Sequence, residues 1–178
     1  MKEWRYAILT LAVTGLVASV SASNANQQSY DQTVLDRTVA LNQQGEFQGQ
    51  FDTLIAAINS ADMSVAETLN DSEADVTVFA PTDGAFEQIG ITPDNAGQLS
   101  QEDLTNILLY HVSEEAKMYN DIAEQDSLQT LYGESIMVED GMLVDQTGDQ
   151  SNFVVANVDA SNGVIHAVDS VLKPYSLG

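Results

Sequence analysis

The segment Val164-Ile165-His166-Ala167-Val168-Asp169-Ser170-Val171-Leu172 constrains the fold of this chain more than any other. In an extended strand, successive side chains point to opposite faces. Val164, His166, Val168 and Leu172 then share one face, and Ile165, Ala167 and Val171 share the other. A strand that is apolar on both faces must be covered on both, so it belongs in the middle of a sheet. Val76-Thr77-Val78-Phe79-Ala80 is a second run of β-branched and aromatic residues, and it reads as a buried strand ended by Pro81.

Elsewhere the apolar spacing is helical. Val34, Leu35, Val39 and Ala40 allow a short helix, and Phe51, Leu54, Ile55 and Ile58 follow the i, i+3, i+4, i+7 pattern of a clear one. Asp52 stands near the start of the latter, where a carboxylate suits unpaired amides. Val65 and Leu69 continue one face of a further short helix. Thr82 is placed to cap a helix carrying Asp83 and Glu87, with Gly90 closing it. Ser100 to Asp103 resembles a capping box in front of Leu104, Ile107 and Leu108, and the register is expected to change to strand at Tyr110-His111-Val112. Asp140-Gly141 between Ser135–Val138 and Met142–Asp145 is a hairpin signal. Phe153–Val158 and the final strand flank a turn region that contains Asn162-Gly163. Helices come first and strands later, without an internal repeat. That order predicts an α+β domain and argues against a regular βαβ array.

The chain has 178 residues, enough for one domain with appendages. Lys2 and Arg5, the apolar stretch Ala7–Val20, and the small-x-small triplets Val20-Ser21-Ala22 and Ser23-Asn24-Ala25 form the three-part pattern of a secretory signal peptide. The apolar run is shorter than the ~20 residues of a membrane span. Residues 1–25 are therefore expected to be cleaved, after Ala22 or Ala25, and residues 26–32 to form a flexible linker. The domain itself is expected over 33–176, in a secreted, periplasmic or extracellular protein with no stable membrane insertion after cleavage.

Charge and cysteine usage remove several functions. The 27 acidic residues face only 5 Lys and Arg, for a net charge of −22. Phosphate neutralisation needs cations, so nucleic acid is excluded as a partner. The chain has no cysteine, which rules out disulfides, thiolate metal sites and thiol nucleophiles. Such acidity fits either adaptation to saline surroundings, where salt screens self-repulsion, or simple solubility of an exported protein.

Three segments in order resemble the signatures of fasciclin-type domains. Thr77-Val78-Phe79-Ala80-Pro81-Thr82-Asp83-Gly84-Ala85-Phe86 is similar to the first, Tyr110-His111 to a short Tyr-His motif, and Asn162-Gly163-Val164-Ile165-His166-Ala167-Val168-Asp169-Ser170-Val171-Leu172 to the second, with Lys173-Pro174 following. The resemblance spans about residues 31–176. It implies a compact α+β wedge, with helices packed on a sandwich-like pair of sheets, used for adhesion or attachment to an extracellular or envelope protein or polysaccharide. It implies no cofactor and no catalysis. The chain departs from the family pattern in its long Gln43–Gln50 connection and in the acids Glu114 and Glu115 close after the Tyr-His motif.

Each candidate residue also has a structural reading. His111 and His166 are the only histidines, and without cysteine a metal site would need both plus carboxylates. Both are expected in apolar strands, as satisfied imidazoles and not as ligands or catalytic bases. Asp169 and Ser170 neighbour His166, but Asp169 projects to the other strand face, and no nucleophile elbow is present. Asp83 is expected to serve a helix start, and Asp169 to need hydrogen-bond partners when folded. Tyr110 is open to two roles, partner anchor or core, and with His111 it forms the candidate binding pair. Thr77, Phe79, Pro81, Thr82, Asp83, Phe86, Asn162, Gly163, His166 and Asp169 are expected to carry the framework. The remaining alternatives are an envelope protein binding a small ligand or cation, and a hydrolase acting on an extracellular polymer.

Overall fold

The computed structural model describes residues 32–176; the expected signal peptide and nearly all of the linker lie outside the described residues. The elements, in order, are α1 (Val34–Gln43), α2 (Asp52–Ser60), α3 (Met63–Asn70), β1 (Val76–Pro81), α4 (Asp83–Gln88), α5 (Gln101–Tyr110), β2 (Val112–Glu114), α6 (Tyr119–Ala123), β3 (Ser127–Gln129), β4 (Ser135–Glu139), β5 (Met142–Val144), β6 (Gln150–Ser151), β7 (Phe153–Ala160) and β8 (Gly163–Val168). They form an α+β domain with two four-stranded sheets, ordered β2-β1-β8-β7 and β3-β4-β5-β6.

β1 and β8 run parallel at the centre of the first sheet, with Phe79 opposite His166 and Pro81 opposite Val168. Alternation along these two strands builds two cores. Val76, Val78, Ala80, Ile165 and Ala167 face the helices, where Phe51, Leu54, Phe86, Leu104 and Leu108 cover them. Phe79 and Val168 face the second sheet and meet Tyr110, Ile122, Leu128, Ile136 and Leu143. The face assignment read from the sequence holds beyond the strand's end: Val171 joins the first core and Leu172 the second. Burial of this kind contributes ~25 cal/mol per Å² of apolar surface, the main force holding the layers together.

Gly163 opens β8 because nothing larger fits. A Cβ there would lie 2.0 Å from the carbonyl oxygen of Val76 on the neighbouring strand. The turn itself consists of Ser161 and Asn162, since Ala160 pairs with Gly163. Asp140-Gly141 does form the expected tight hairpin, with φ of 51° and 77°.

Three expectations are corrected. Tyr110 ends α5 and His111 caps it, so neither lies in a strand; the His111 amide still bonds back to the Ile107 and Leu108 carbonyls, and the strand starts at Val112. Phe51 is the residue before α2, buried but outside the helix. Finally, β8 stops at Val168, which leaves Asp169 just past the strand.

Candidate functional site

The motif residues converge on three backbone junctions. The first joins two helix starts. The Asp83 amide donates to the Gln50 carbonyl (2.8 Å), and its carboxylate accepts from the amide of Thr53 (2.8 Å) in the first turn of α2. Phe51 has no side-chain cap to offer, so Asp83 supplies one from 30 residues away. Asp83 is expected to serve the start of its own helix; it stands in the first turn of α4, but its carboxylate bonds to the start of α2. Thr82 occupies the N-cap position of α4 without making a side-chain cap hydrogen bond. Phe86, in α4, packs into the helical core.

At the second junction Thr77 and His166, on adjacent strands, clamp the loop after β2. The Thr77 hydroxyl donates to the Glu115 carbonyl and accepts from the Lys117 amide, both at 2.8 Å. His166 Nε2 donates to the Lys117 carbonyl (2.9 Å), while Nδ1 accepts from the Asn157 amide (3.3 Å). The ring stacks on Phe79 with centroids 5.9 Å apart and meets Phe153 edge-on at 5.5 Å. Burial pushes the His166 pKa down and outweighs the hydrogen bond to Lys117, which favours the charged form.

The third set of contacts fastens helices to the segments just before and just after β8. Asn162 is buried; its carbonyl accepts from the Val34 amide (2.7 Å), and its NH₂ donates to the carbonyls of Leu69 (3.2 Å) and Asp71 (2.7 Å). One side chain thus fastens the start of α1 and the end of α3 to the entrance of β8. His111 does the same beyond β8: Nδ1 donates to Ile107 (2.7 Å) and Nε2 accepts from the Leu172 amide (2.9 Å). Its enclosure lowers the pKa to about 4, against the smaller opposing effects of Ile107 and Asp145. Asp169 accepts from the amide and the side chain of Asn152 (2.8 and 3.0 Å), so its expected partners are present.

The candidate binding pair is enclosed. Tyr110 is 0% exposed and His111 2%, so neither offers surface to a partner in the folded domain. The Tyr110 hydroxyl donates to the Ser135 carbonyl (3.2 Å). Burial, and then the charge of Asp145, push the Tyr110 pKa up to about 12. The structure gives Tyr110 the core role.

Asp145 is a framework residue that the sequence reading placed at a strand end. It is buried, and its carboxylate accepts from the Thr147 amide (2.8 Å) and hydroxyl (2.7 Å), the Asp149 amide (3.0 Å) and the Lys173 amide (2.9 Å). The available signal was the turn-forming run Asp145-Gln146-Thr147-Gly148-Asp149. Among the described residues, no group of three or more His, Cys, Asp or Glu is arranged to hold a metal ion, and no helix is long and apolar enough to cross a membrane.

These junctions are built from the three sequence motifs, and the model of the Fasciclin domain family matches residues 49–174, which contain all three. The chain belongs to the fasciclin domain family. Protein sll1483 of Synechocystis sp. is 35% identical over 133 residues, covering 70% of this chain and 67% of its own length. Transforming growth factor-beta-induced protein ig-h3 of Sus scrofa is 36% identical over 126 residues, 70% of this chain; the chain spans only 18% of that relative. A fasciclin domain pair from the insect cell adhesion molecule fasciclin I superposes with a TM-score of 0.61, covering 79% of this chain and 50% of that one at 20% identity, a likeness of fold. In this fasciclin domain α1 precedes the matched stretch, yet Val34 packs into the helical core.

Proposed function

We propose that this fasciclin domain is an exported, non-enzymatic adhesion or surface-attachment module that binds an extracellular or envelope protein or polysaccharide. The observation that carries the reading is how the polar motif atoms are used. Both nitrogens of His111 and of His166, the Asp83 and Asp169 carboxylates, and the Asn162 amide all bond to backbone. A general base or nucleophile must present an atom to its substrate. Here these groups hold the scaffold, which leaves function to the outer surface.

The names of relatives agree with that reading. Fasciclin I is an insect cell adhesion molecule, and a Mycobacterium bovis relative 30% identical over 128 residues is the cell surface glycolipoprotein MPB83. Export rests on the leader pattern of residues 1–25.

The test is binding of labelled mature domain (residues 26–178) to whole cells, matrix polysaccharide and envelope extract, with heat-unfolded protein as control. Saturable binding that needs the fold is expected on at least one of them. Absence of such binding from all three, or release of soluble product from the polysaccharide, would overturn the proposal.

A further inference from the structure

β7 is the outer strand of its sheet, and among the described residues no main-chain group outside the sheet pairs with its free side. Exposed strand edges are templates for further strands, and proteins usually guard them with charge, proline or bulges. β7 has register slips along its length but a charge only near its end. Toward its end the register slips between Val155 and Val158, Asn157 takes a φ of 63° with its side chain bonded to the Tyr119 amide, and Asp159 follows. The first half has a slip as well, between Phe153 and Val155, but it lacks charge: no residue from Ser151 to Val158 is charged, in a chain that is 18% charged overall. Val154 is 49% exposed there.

A groove runs beside this half, lined by Tyr119, Asp140, Met142, Phe153 and Val154. Tyr119 stands edge-on to Phe153 at 5.0 Å and reaches the β4–β5 turn at Gly141. The groove therefore offers an aromatic wall, apolar side chains and one carboxylate. That set suits a Lys or Arg side chain, whose stem lies on apolar surface while its charge meets the carboxylate and the ring. Lys117, the cation nearest in sequence, is already paired with Glu115.

Charge decides the occupant. Two copies at −22 each repel, which disfavours edge-to-edge pairing of this chain with itself, whereas a cationic partner is drawn in. We infer that the Phe153–Ala156 edge of β7, with its adjoining groove, docks an extended, cation-rich segment of a protein partner by strand addition. This rests on the attachment reading and names the partner's chemistry.

The test uses an acetylated, amidated octapeptide of alternating Lys and Val, titrated onto the mature domain. Hydrogen exchange maps the contact. The variant D140N/V154K removes the carboxylate and places a cation on the rim; Asn-Gly suits the hairpin turn as well as Asp-Gly. Glu46→Lys, on the exposed α1–α2 connection, makes the same change in net charge elsewhere. Binding is expected to weaken at least fivefold in D140N/V154K and no more than twofold in Glu46→Lys, with exchange slowed at residues 153–156. If D140N/V154K lowers the melting temperature, D140N alone is used, with a loss of at least twofold expected and Glu46→Gln as its control. Equal weakening by the groove and control variants, exchange protection elsewhere, or no peptide binding would overturn the inference. Surface binding by the mature domain is a separate measurement, so it can survive that failure, and peptide binding can survive the loss of surface binding.

Discussion

Lowering the pH from 7 to 5 is expected to destabilise this domain by about 2 kcal/mol through His111 alone. In the folded state its ring is enclosed between Ile107 and Leu172, and burial holds its pKa at about 4 against an ordinary value of 6.5. The unfolded chain takes up a proton as the pH falls through 6.5, whereas the folded chain does so only near 4. The stabilisation is therefore full above pH 6.5 and is lost progressively between 6.5 and 4. At about 1.4 kcal/mol per unit, the span from 6.5 to 5 accounts for about 2 kcal/mol and the whole shift for about 3. His166, also lowered by burial, adds to the loss in the same direction. The assay is urea unfolding at pH 7, 6 and 5 in 1 M NaCl, where general charge repulsion is screened. His111→Gln keeps an acceptor for the Leu172 amide, and the Ile107 carbonyl keeps the bond from the residue-111 amide at 3.2 Å. Glutamine does not titrate, so the variant should lose about 2 kcal/mol less than wild type between pH 7 and 5. Parallel pH profiles for the two proteins would show that His111 does not carry the pH dependence.

Gly163→Ala should destabilise by about 3 kcal/mol or prevent folding, because its Cβ would meet the Val76 carbonyl at 2.0 Å; an unchanged melting temperature would contradict the close approach of β1 and β8. Asp83→Ala should cost about 1 kcal/mol through the uncapped start of α2 and Asp83→Asn less, measured by urea unfolding; equal losses in both would show that the carbonyl acceptor is not what matters. With a net charge of −22, the melting temperature should rise as NaCl goes from ~0.01 to ~1 M, when the Debye length falls from ~30 to ~3 Å, and should rise similarly in KCl; a flat response would mean that the charges are too dispersed to oppose folding.

Local periodicity and turn chemistry were legible because they depend on residues close in sequence. The faces of β8, the buried β1, the helical stripe of Leu54 and Ile58, and the Asp140-Gly141 hairpin all follow from such patterns. The same reasoning misplaced the end of α5. Leu108-Leu109-Tyr110-His111-Val112 is too short and too uniformly apolar for helical and strand spacing to differ. Tertiary contacts at Tyr110 and His111 settle the boundary, through Ser135 and Leu172.

The α+β class, the central strands with their two faces, the family signatures and the classes of function that charge and cysteine exclude can all be read along the chain. What each polar signature residue holds depends on the folded structure. Asn162 reaches Val34 across 128 positions, Asp83 caps a helix 30 residues back, and His111 meets Leu172 across 61. The fold also makes the Tyr-His pair core and leaves β7 with the open edge. A hydrogen-bond partner far along the chain is a property of how the layers pack, and no local pattern of residue types encodes which distant amide will stand 2.8 Å away.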